Sequence, residues 1–399
     1  MVQCLDRIIA SMDTGVDDAL ALAYLLGSAD ECELSGVIAS YGNVDANTAY
    51  ANTRAVLDLF GRADIPVFLG SEHPSWADAF IPDAGCAQFH GDDGLGNTWL
   101  AGSGALADGA GVPGDMSGDD MSVGVPDGVV SVGGYLAGDV HAHPALGSYP
   151  RVGRSRSVDR PQSATSTALV SGGTRRCSVD AADGIEYLIE QVREFGRDVT
   201  VLSTGPLTDV DAAITRAPDI ASKLRLVMMG GTLTQPGNCW DAVAETNIIQ
   251  DPEAANRVFH SGADITMVGL DVTHQCLLTR SAADRWRATG TKRGRFLADL
   301  ADFSIKANLE ADTALFSGGM PLHDPLAAAV ALDSSLVDCF DLALRAETNT
   351  GDFNGVRGRT TGDPVGLVNH SMSHVHVALG VDSGRFLDEF AERMAEVCR

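Results

Sequence analysis

The chain has 399 residues, of which 45% are hydrophobic, enough to bury one large core or two ordinary ones. A formal net charge of −26 would repel phosphate and argues against a nucleic-acid partner, and no apolar run reaches the roughly 18 residues needed to cross a membrane. Positive charge is carried mostly by arginine, with Lys223, Lys292 and Lys306 as the lysines, a pattern suited to a salt-rich cytoplasm where screening weakens self-repulsion.

Met1 to Arg7 leads straight into an apolar run and lacks the basic segment, longer apolar stretch and cleavage site of a secretion signal, so a cytoplasmic location is expected. Arg7 to Met12 reads as a buried strand ending at Asp13, and Asp17 to Leu26 has helical spacing. Leu34 to Ser40 is a second strand, followed by a helix from about Asn47 to Phe60 and a strand from Ile65 to Leu69. Between about Ala101 and Asp180 the pattern fails. This stretch is rich in Gly, Ser, Asp and Pro, acidic in its first half and arginine-bearing in its second, and reads as a poorly ordered insertion at 101–180. Its arginines, without interleaved aromatics, read as a solvated linker.

The pattern resumes with a helix over Gly184–Phe195 and strands over Val199–Ser203 and Leu224–Met229. A helix over Pro252–Ser261 and a strand over Ile265–Leu270 follow. Strands alternating with helices predict an α/β fold, a mostly parallel, Rossmann-like doubly wound sheet with helices on both faces. Residues 1–100 and 181–399 would then form one domain around the insertion. The eight cysteines, scattered from Cys4 to Cys398 with no Cys-x-x-Cys pair, read as buried or incidental thiols.

The sharpest local feature is Met12-Asp13-Thr14-Gly15-Val16-Asp17-Asp18, where a buried strand runs into a glycine turn and two carboxylates open a helix. Ligands of parallel α/β sheets bind at the carboxyl edge of the strands. Three acids meeting there need a cation, and oxygen-only ligands suit a hard one. Alone, Asp17 and Asp18 also have the plainer reading of complements to a helix N-terminus. Other polar residues follow neighbouring strands: Asn43, Thr204, then Asn238, Glu245 and Asn247, and late in the chain the pair His323-Asp324 opening another helix. Singly each reads as a cap or turn former, but together they fall on one sheet edge.

These segments resemble the inosine–uridine-preferring nucleoside hydrolase family. The resemblance runs from residue 7 to about 100 and from about 182 to the C-terminus. It rests on Asp13-Thr14-Gly15-Val16-Asp17-Asp18, Tyr41-Gly42-Asn43, His90-Gly91-Asp92-Asp93-Gly94-Leu95-Gly96 and Thr204-Gly205-Pro206-Leu207-Thr208. It continues, in the family's order, through Met228-Met229-Gly230-Gly231, Ala244-Glu245-Thr246-Asn247, Val268-Gly269-Leu270-Asp271-Val272-Thr273-His274 and Pro321-Leu322-His323-Asp324-Pro325.

The resemblance implies hydrolysis of the N-glycosidic bond of purine or pyrimidine ribonucleosides, in a homodimer or homotetramer. Asp13, Asp18, Asp324 and the Thr204 carbonyl would hold one Ca²⁺, whose remaining positions would go to a water and the ribose 2′- and 3′-hydroxyls. Asp13 would also be the general base toward that water. Asp17, Asn43, Asn238, Glu245 and Asn247 would bind the sugar, and His323 would assist departure of the base, as in the family's His-Asp-Pro subgroup. An oxocarbenium-like sugar accounts for the abundance of carboxylates.

The chain also departs from the family. Ser11 stands where an Asp is usual, the Asn238–Glu245 spacing is one residue longer, and the base-side tyrosines expected around Phe303 to Asn308 are absent. His90 reads as part of a covering loop, and Asp271 and His274 as supports of strand ends. His141-Ala142-His143 and the group from His370 to His376 read as surface histidines, having no partners at ligand spacing. Two rival readings remain. A haloacid-dehalogenase-like phosphatase would need an acid where Gly15 stands, and a non-catalytic nucleoside-binding homologue would not need Asp13 and His323 together.

Overall fold

A computed structural model describes residues 5–82, 84–98, 183–239, 242–350, 356–368 and 374–399. Ahead of the insertion lie β1 (Asp6–Met12), α1 (Val16–Gly27), β2 (Cys32–Ala39), α2 (Ala46–Leu59), β3 (Val67–Leu69) and α3 (Ala84–His90). Beyond it come α4 (Gly184–Phe195), β4 (Val199–Ser203), α5 (Thr208–Arg216), β5 (Arg225–Met229), α6 (Thr246–Gln250), α7 (Pro252–Phe259), β6 (Asp264–Val268) and α8 (Leu270–Thr273). The remainder holds β7 (Leu277–Leu278), α9 (Arg280–Ala288), α10 (Lys292–Ala311), β8 (Met320–Pro321), α11 (His323–Leu332) and β9 (Val337–Leu342). It closes with β10 (Leu344–Ala346), β11 (Thr360–Gly362), α12 (Pro364–Val368), β12 (Val375–Val381) and α13 (Ser383–Val397). The insertion read at 101–180 and the histidines at 141, 143 and 370 lie outside the described residues.

Eight strands form one sheet in the order β3-β2-β1-β4-β5-β6-β12-β9. Every neighbouring pair is parallel except β12 with β9, which is antiparallel. The mostly parallel, doubly wound sheet expected from the alternating pattern is therefore present. Chain order reverses between β1 and β4, which come from opposite sides of the insertion and pair from Arg7↔Val199 to Ser11↔Ser203.

Side-chain alternation explains why both faces of this sheet are covered. In β1, Ile8, Ala10 and Met12 enter one apolar cluster with α1, α2, α10, α11 and α13, while Ile9 enters the other with α4, α5 and α7. Such strands read as continuous apolar runs because neither face meets water. Each large aliphatic side chain sealed there contributes ~1.5–3 kcal/mol. Helix α1 is buried from Val16 to Leu25, packing against the sheet, α11 and α13, so its first turn is fixed in place under the strand ends.

The edge pair is where the pattern gave no strand. β9 is exposed along Asp338–Asp341, so it shows neither an apolar run nor alternation, and its charges blunt an otherwise open edge. His376 on β12 is a half-exposed ion-pair partner of Asp341 and Asp264, consistent with a surface histidine. Among the described residues no helix is long and apolar enough to cross a membrane.

Candidate active site

The reversal of strand order opens a crevice at the carboxyl ends of β1 and β4, and the polar residues noted in the sequence gather there. Asp13 is the first residue past β1 and is fully buried. The turn after β2 closes over it: the Asn43 backbone N–H donates to Asp13 Oδ2 at 2.7 Å. A Cβ on Gly42 would lie 1.9 Å from that same oxygen, so only glycine lets the turn approach this closely.

Asp18, in the first turn of α1, accepts from Gly15 N–H at 2.8 Å, from the Asn43 side-chain amide at 3.3 Å and from the Thr204 hydroxyl at 2.6 Å. Asp324 enters from the first turn of α11. One oxygen each of Asp17, Asp18 and Asp324 lies within 4.8 Å of the others. Asp13 Oδ1 and Asp17 Oδ1 are buried with no hydrogen-bond partner among the described residues.

Electrostatics disfavour full ionisation of these carboxyls unless a cation or bound protons neutralise them. Burial, then the Asp18 charge, pushes Asp13 well above the usual carboxylate range. Asp18 is raised to about 6 by burial and then by Asp17. Asp324 is raised well above the ordinary value by burial and then by Asp17, Asp18 and Asp13. Burial likewise raises Asp17. Among the described residues no arginine or lysine pairs with any of them, and the nearest basic group is His90, 3.7 Å from Asp17. Buried carboxylates without a counter-charge are strongly destabilising. The all-oxygen donors and two orphaned oxygens therefore fit a hard cation.

The carboxyls close one end of a cavity of about 510 Å³. Asp17, Asn43, Thr204, Asn238, Glu245, Asn247, His323 and Asp324 line it, with Asp13 and Asp18 sealed behind. Several of these residues also have local structural tasks. Glu245 caps α6, accepting from Asn247 and Ile248 N–H, and reaches across to Gly231 N–H at 2.9 Å. Asn247 donates to the Thr204 carbonyl at 2.7 Å and the Met229 carbonyl at 3.2 Å, holding β4 and β5 ends together. Asn238 accepts from the Thr246 N–H and hydroxyl, both at 3.0 Å, so the longer spacing still brings it beside Glu245.

The opposite end is built from imidazoles and amides. His323 Nδ1 lies 2.7 Å from the Thr273 hydroxyl, and its ring centre is 5.6 Å from that of His274, which meets Phe316 edge-on. His90, ending α3, accepts from Val16 N–H at 3.2 Å, so it touches the mouth of α1 directly. Burial holds all three imidazoles neutral: His90 and His274 fall to about 4, and His323 falls well below its ordinary value, with His274 and His90 adding to the effect. Ser304 and Asn308 of α10 complete this wall in the place where tyrosines were expected.

Sequence reasoning did not single out His274, Phe316, Ser304 or Asn308 as cavity-lining residues. The available signal was on α10, whose buried face changes from Phe296, Leu297 and Leu300 to the polar pair Ser304 and Asn308, one helical turn apart. Asp271 does act as a support, accepting from Leu233 and Thr234 N–H. Ser11, the departure on β1, donates at 2.9 Å to the buried carboxylate of Asp209 from α5, so a carboxylate is still present at this spot but comes from another element.

The arrangement defines an α/β enzyme whose buried carboxylates, able to hold a metal ion, border a polar cavity at the switch point of a doubly wound sheet. The chain belongs to the inosine-uridine preferring nucleoside hydrolase family, whose sequence model matches residues 8–388. It is 30% identical over 390 residues to the pyrimidine-specific ribonucleoside hydrolase RihA of Enterobacter sp. (strain 638), covering 98% of this chain and 97% of that one. Among solved structures it is similar to a purine-preferring ribonucleoside hydrolase from Gardnerella vaginalis, with TM-score 0.73, 34% identity and coverage of 98% and 99%. A plant nucleoside hydrolase, the PpNRh1 enzyme, is similar at TM-score 0.72 and 27% identity, with the same coverage. The protein is thus an enzyme that hydrolyses the N-glycosidic bond of ribonucleosides.

Proposed function

We propose that this ribonucleoside hydrolase works with one Ca²⁺ held by Asp13, Asp18, Asp324 and the Thr204 carbonyl. The observation that carries the reading is the set of buried carboxyls that, among the described residues, have no arginine or lysine partner and leave two oxygens without a hydrogen bond. Bound there, the cation would lower the pKa of a water and neutralise the surrounding carboxylates. Asp13 is the general base: its unpartnered Oδ1 can take the proton of the attacking water while Oδ2 is anchored by Asn43. Asp17, Asn43, Asn238, Glu245 and Asn247 bind and orient the ribose. The surrounding carboxylates stabilise positive charge growing at the anomeric carbon. At the other end of the cavity His323 assists departure of the nucleobase.

The reading extends to a cytoplasmic enzyme, in keeping with the free, buried thiols of Cys32, Cys276 and Cys398. It also extends to a homodimer or homotetramer, which light scattering on the purified protein would measure. The decisive test is exhaustive chelation followed by add-back, reading release of free base and reducing sugar from inosine and uridine. Chelation is expected to abolish turnover and calcium to restore it. Full activity in metal-free protein would remove the cation from the reaction.

A further inference from the structure

His323 is offered above as the group that assists the leaving base, and the present inference rests on that role. An imidazole can do this only with a proton on the nitrogen that faces the base, so something must set its tautomer and its tilt. His323 Nε2 has no hydrogen-bond partner among the described residues and is not sealed off in the protein interior, so it opens on the cavity that His323 lines. The other ring nitrogen, Nδ1, sits 2.7 Å from Thr273 Oγ1.

Thr273 is fully buried at the end of α8, and its hydroxyl has no other hydrogen-bond partner among the described residues. A buried hydroxyl proton left without an acceptor is costly. The hydroxyl therefore donates to Nδ1, which places the imidazole proton on Nε2, toward the cavity. The reverse arrangement would strand the hydroxyl proton and present the base with an acceptor.

The contact is also mechanically fixed. Thr273 N–H donates to the Gly269 carbonyl at 3.1 Å and the Thr273 carbonyl accepts from Cys276 N–H at 3.1 Å. The next residues form the β7–β8 ladder, Leu277↔Pro321 and Leu278↔Met320, and Leu322 N–H donates to the Cys276 carbonyl at 2.9 Å. This ladder brings the segment bearing Thr273 against the segment bearing His323, on a β-branched side chain with little rotational freedom.

We propose that Thr273 is a positioning residue, holding His323 as the Nε2–H tautomer aimed at the departing nucleobase. As the glycosidic bond breaks, its electron pair leaves with the base, and the Nε2–H donates a hydrogen bond to the charge gathering there. Thr273 itself touches neither substrate nor cation.

The test uses the calcium-loaded enzyme and two substrates, inosine and p-nitrophenyl riboside, whose phenolate leaves without help. Thr273→Val removes the hydroxyl and keeps the shape, Thr273→Ser keeps the hydroxyl, and His323→Ala is measured in parallel. Thr273→Val should lower kcat on inosine on the order of 10–100-fold, part of the ~10²–10⁴-fold that acid assistance contributes. KM should hold within about twofold, p-nitrophenyl riboside within about threefold, and Thr273→Ser should recover most of the loss. Adding Thr273→Val to His323→Ala should cost nothing further, since the hydroxyl acts only through the ring. If His323→Ala is selectively slow on inosine and Thr273→Val is not, the positioning role is refuted while the His323 role stands. If His323→Ala loses equally on both substrates, the His323 role fails and this inference fails with it. Imidazole ¹⁵N spectra of the unsubstituted enzyme, with His323 identified by its absence from the alanine variant, read the tautomer directly even if a Thr273 variant folds poorly. Protonation at Nε2 is expected, and protonation at Nδ1 would overturn the proposal.

Discussion

The two ends of the cavity are built from opposite chemistry and respond oppositely to the same burial. At the strand-end wall burial pushes Asp13, Asp17, Asp18 and Asp324 upward. At the far wall it pushes His274 and His323 downward, as it does His90, which stands between the two ends 3.7 Å from Asp17. Desolvation disfavours whichever form is charged, so a metal-free cavity favours neutral groups throughout. A cation bound among the carboxylates would let them ionise, whereas His274 and His323 are kept neutral chiefly by burial. The walls also differ in support. The carboxyl end is held by β1, β4 and the first turns of α1 and α11, whereas the other end adds α3, α8 and α10, outside the sheet, to His323 from that same first turn of α11.

This division predicts that damage at the carboxyl end is blind to the leaving group. Asp13→Asn should lower kcat on the order of 10²–10⁴-fold by removing the base, with a smaller effect on substrate affinity. The loss should be alike on inosine and p-nitrophenyl riboside, because both need water activated. Steady-state kinetics on the two substrates checks this, and a variant within threefold of the parent would take Asp13 out of the base role.

The second expectation concerns the carboxyl wall alone and follows from the direction in which its acids move. Asp18 moves from 3.8 to about 6 on folding, and Asp13 and Asp324 move well up. A metal-free fold therefore binds protons more tightly than the unfolded chain. That contribution to stability is full below the unfolded value and is lost as pH rises through the folded values. Calcium should consequently raise the melting temperature more at pH 7.5 than at pH 5. In free energy of stabilisation by calcium the difference between the two pH values should be roughly a few kcal/mol, because each tenfold change in proton affinity is worth about 1.4 kcal/mol. Melts in chelator and in calcium at both pH values isolate this effect from general acid denaturation. An equal gain at both would mean that the carboxyls do not form the binding site.

The same division explains what could be read from the sequence. Strand β4 and helix α4 have the bounds that their patterns predict, Val199–Ser203 and Gly184–Phe195, because fully buried strands and amphipathic helices write their burial into composition. The carboxyl end was legible for a related reason: Asp13 stands directly after such a strand and Asp17 and Asp18 open the helix that follows, while Asp324 showed only through the His-Asp pair opening another helix. The imidazole end was not, apart from His323, which sits beside a carboxylate. Ser304 and Asn308 lie inside a long helix, where a polar pair is ordinarily solvated, and it is the packing of α10 in the fold, against α3 among other elements, that turns them inward to the cavity. Asp209 was invisible as the partner of Ser11, since the two are 198 residues apart and meet only when α5 docks on β1.

The smallest expected effect lies at that less legible end, at Asn308. Its Nδ2 donates to the Ser304 carbonyl at 2.9 Å and to the Ser304 hydroxyl at 3.1 Å. The carbonyl can only accept, so the orientation of the amide is fixed and Oδ1 is left as the group available to the cavity. An acceptor held in this way favours bases that present a donor and has nothing to offer a nitrophenyl ring. Asn308→Ala should therefore change the ratio of kcat/KM between amino-bearing and oxo-bearing nucleosides, cytidine against uridine and adenosine against inosine, by about 3–30-fold, the scale of one hydrogen bond. Turnover of p-nitrophenyl riboside should stay within about twofold, because neither the carboxyl wall nor the sugar contacts are touched. Competition assays with paired nucleosides measure the ratio without needing absolute rates. A uniform drop across every substrate, nitrophenyl riboside included, would instead make Asn308 a packing residue of α10 and leave base discrimination to the histidines beside it.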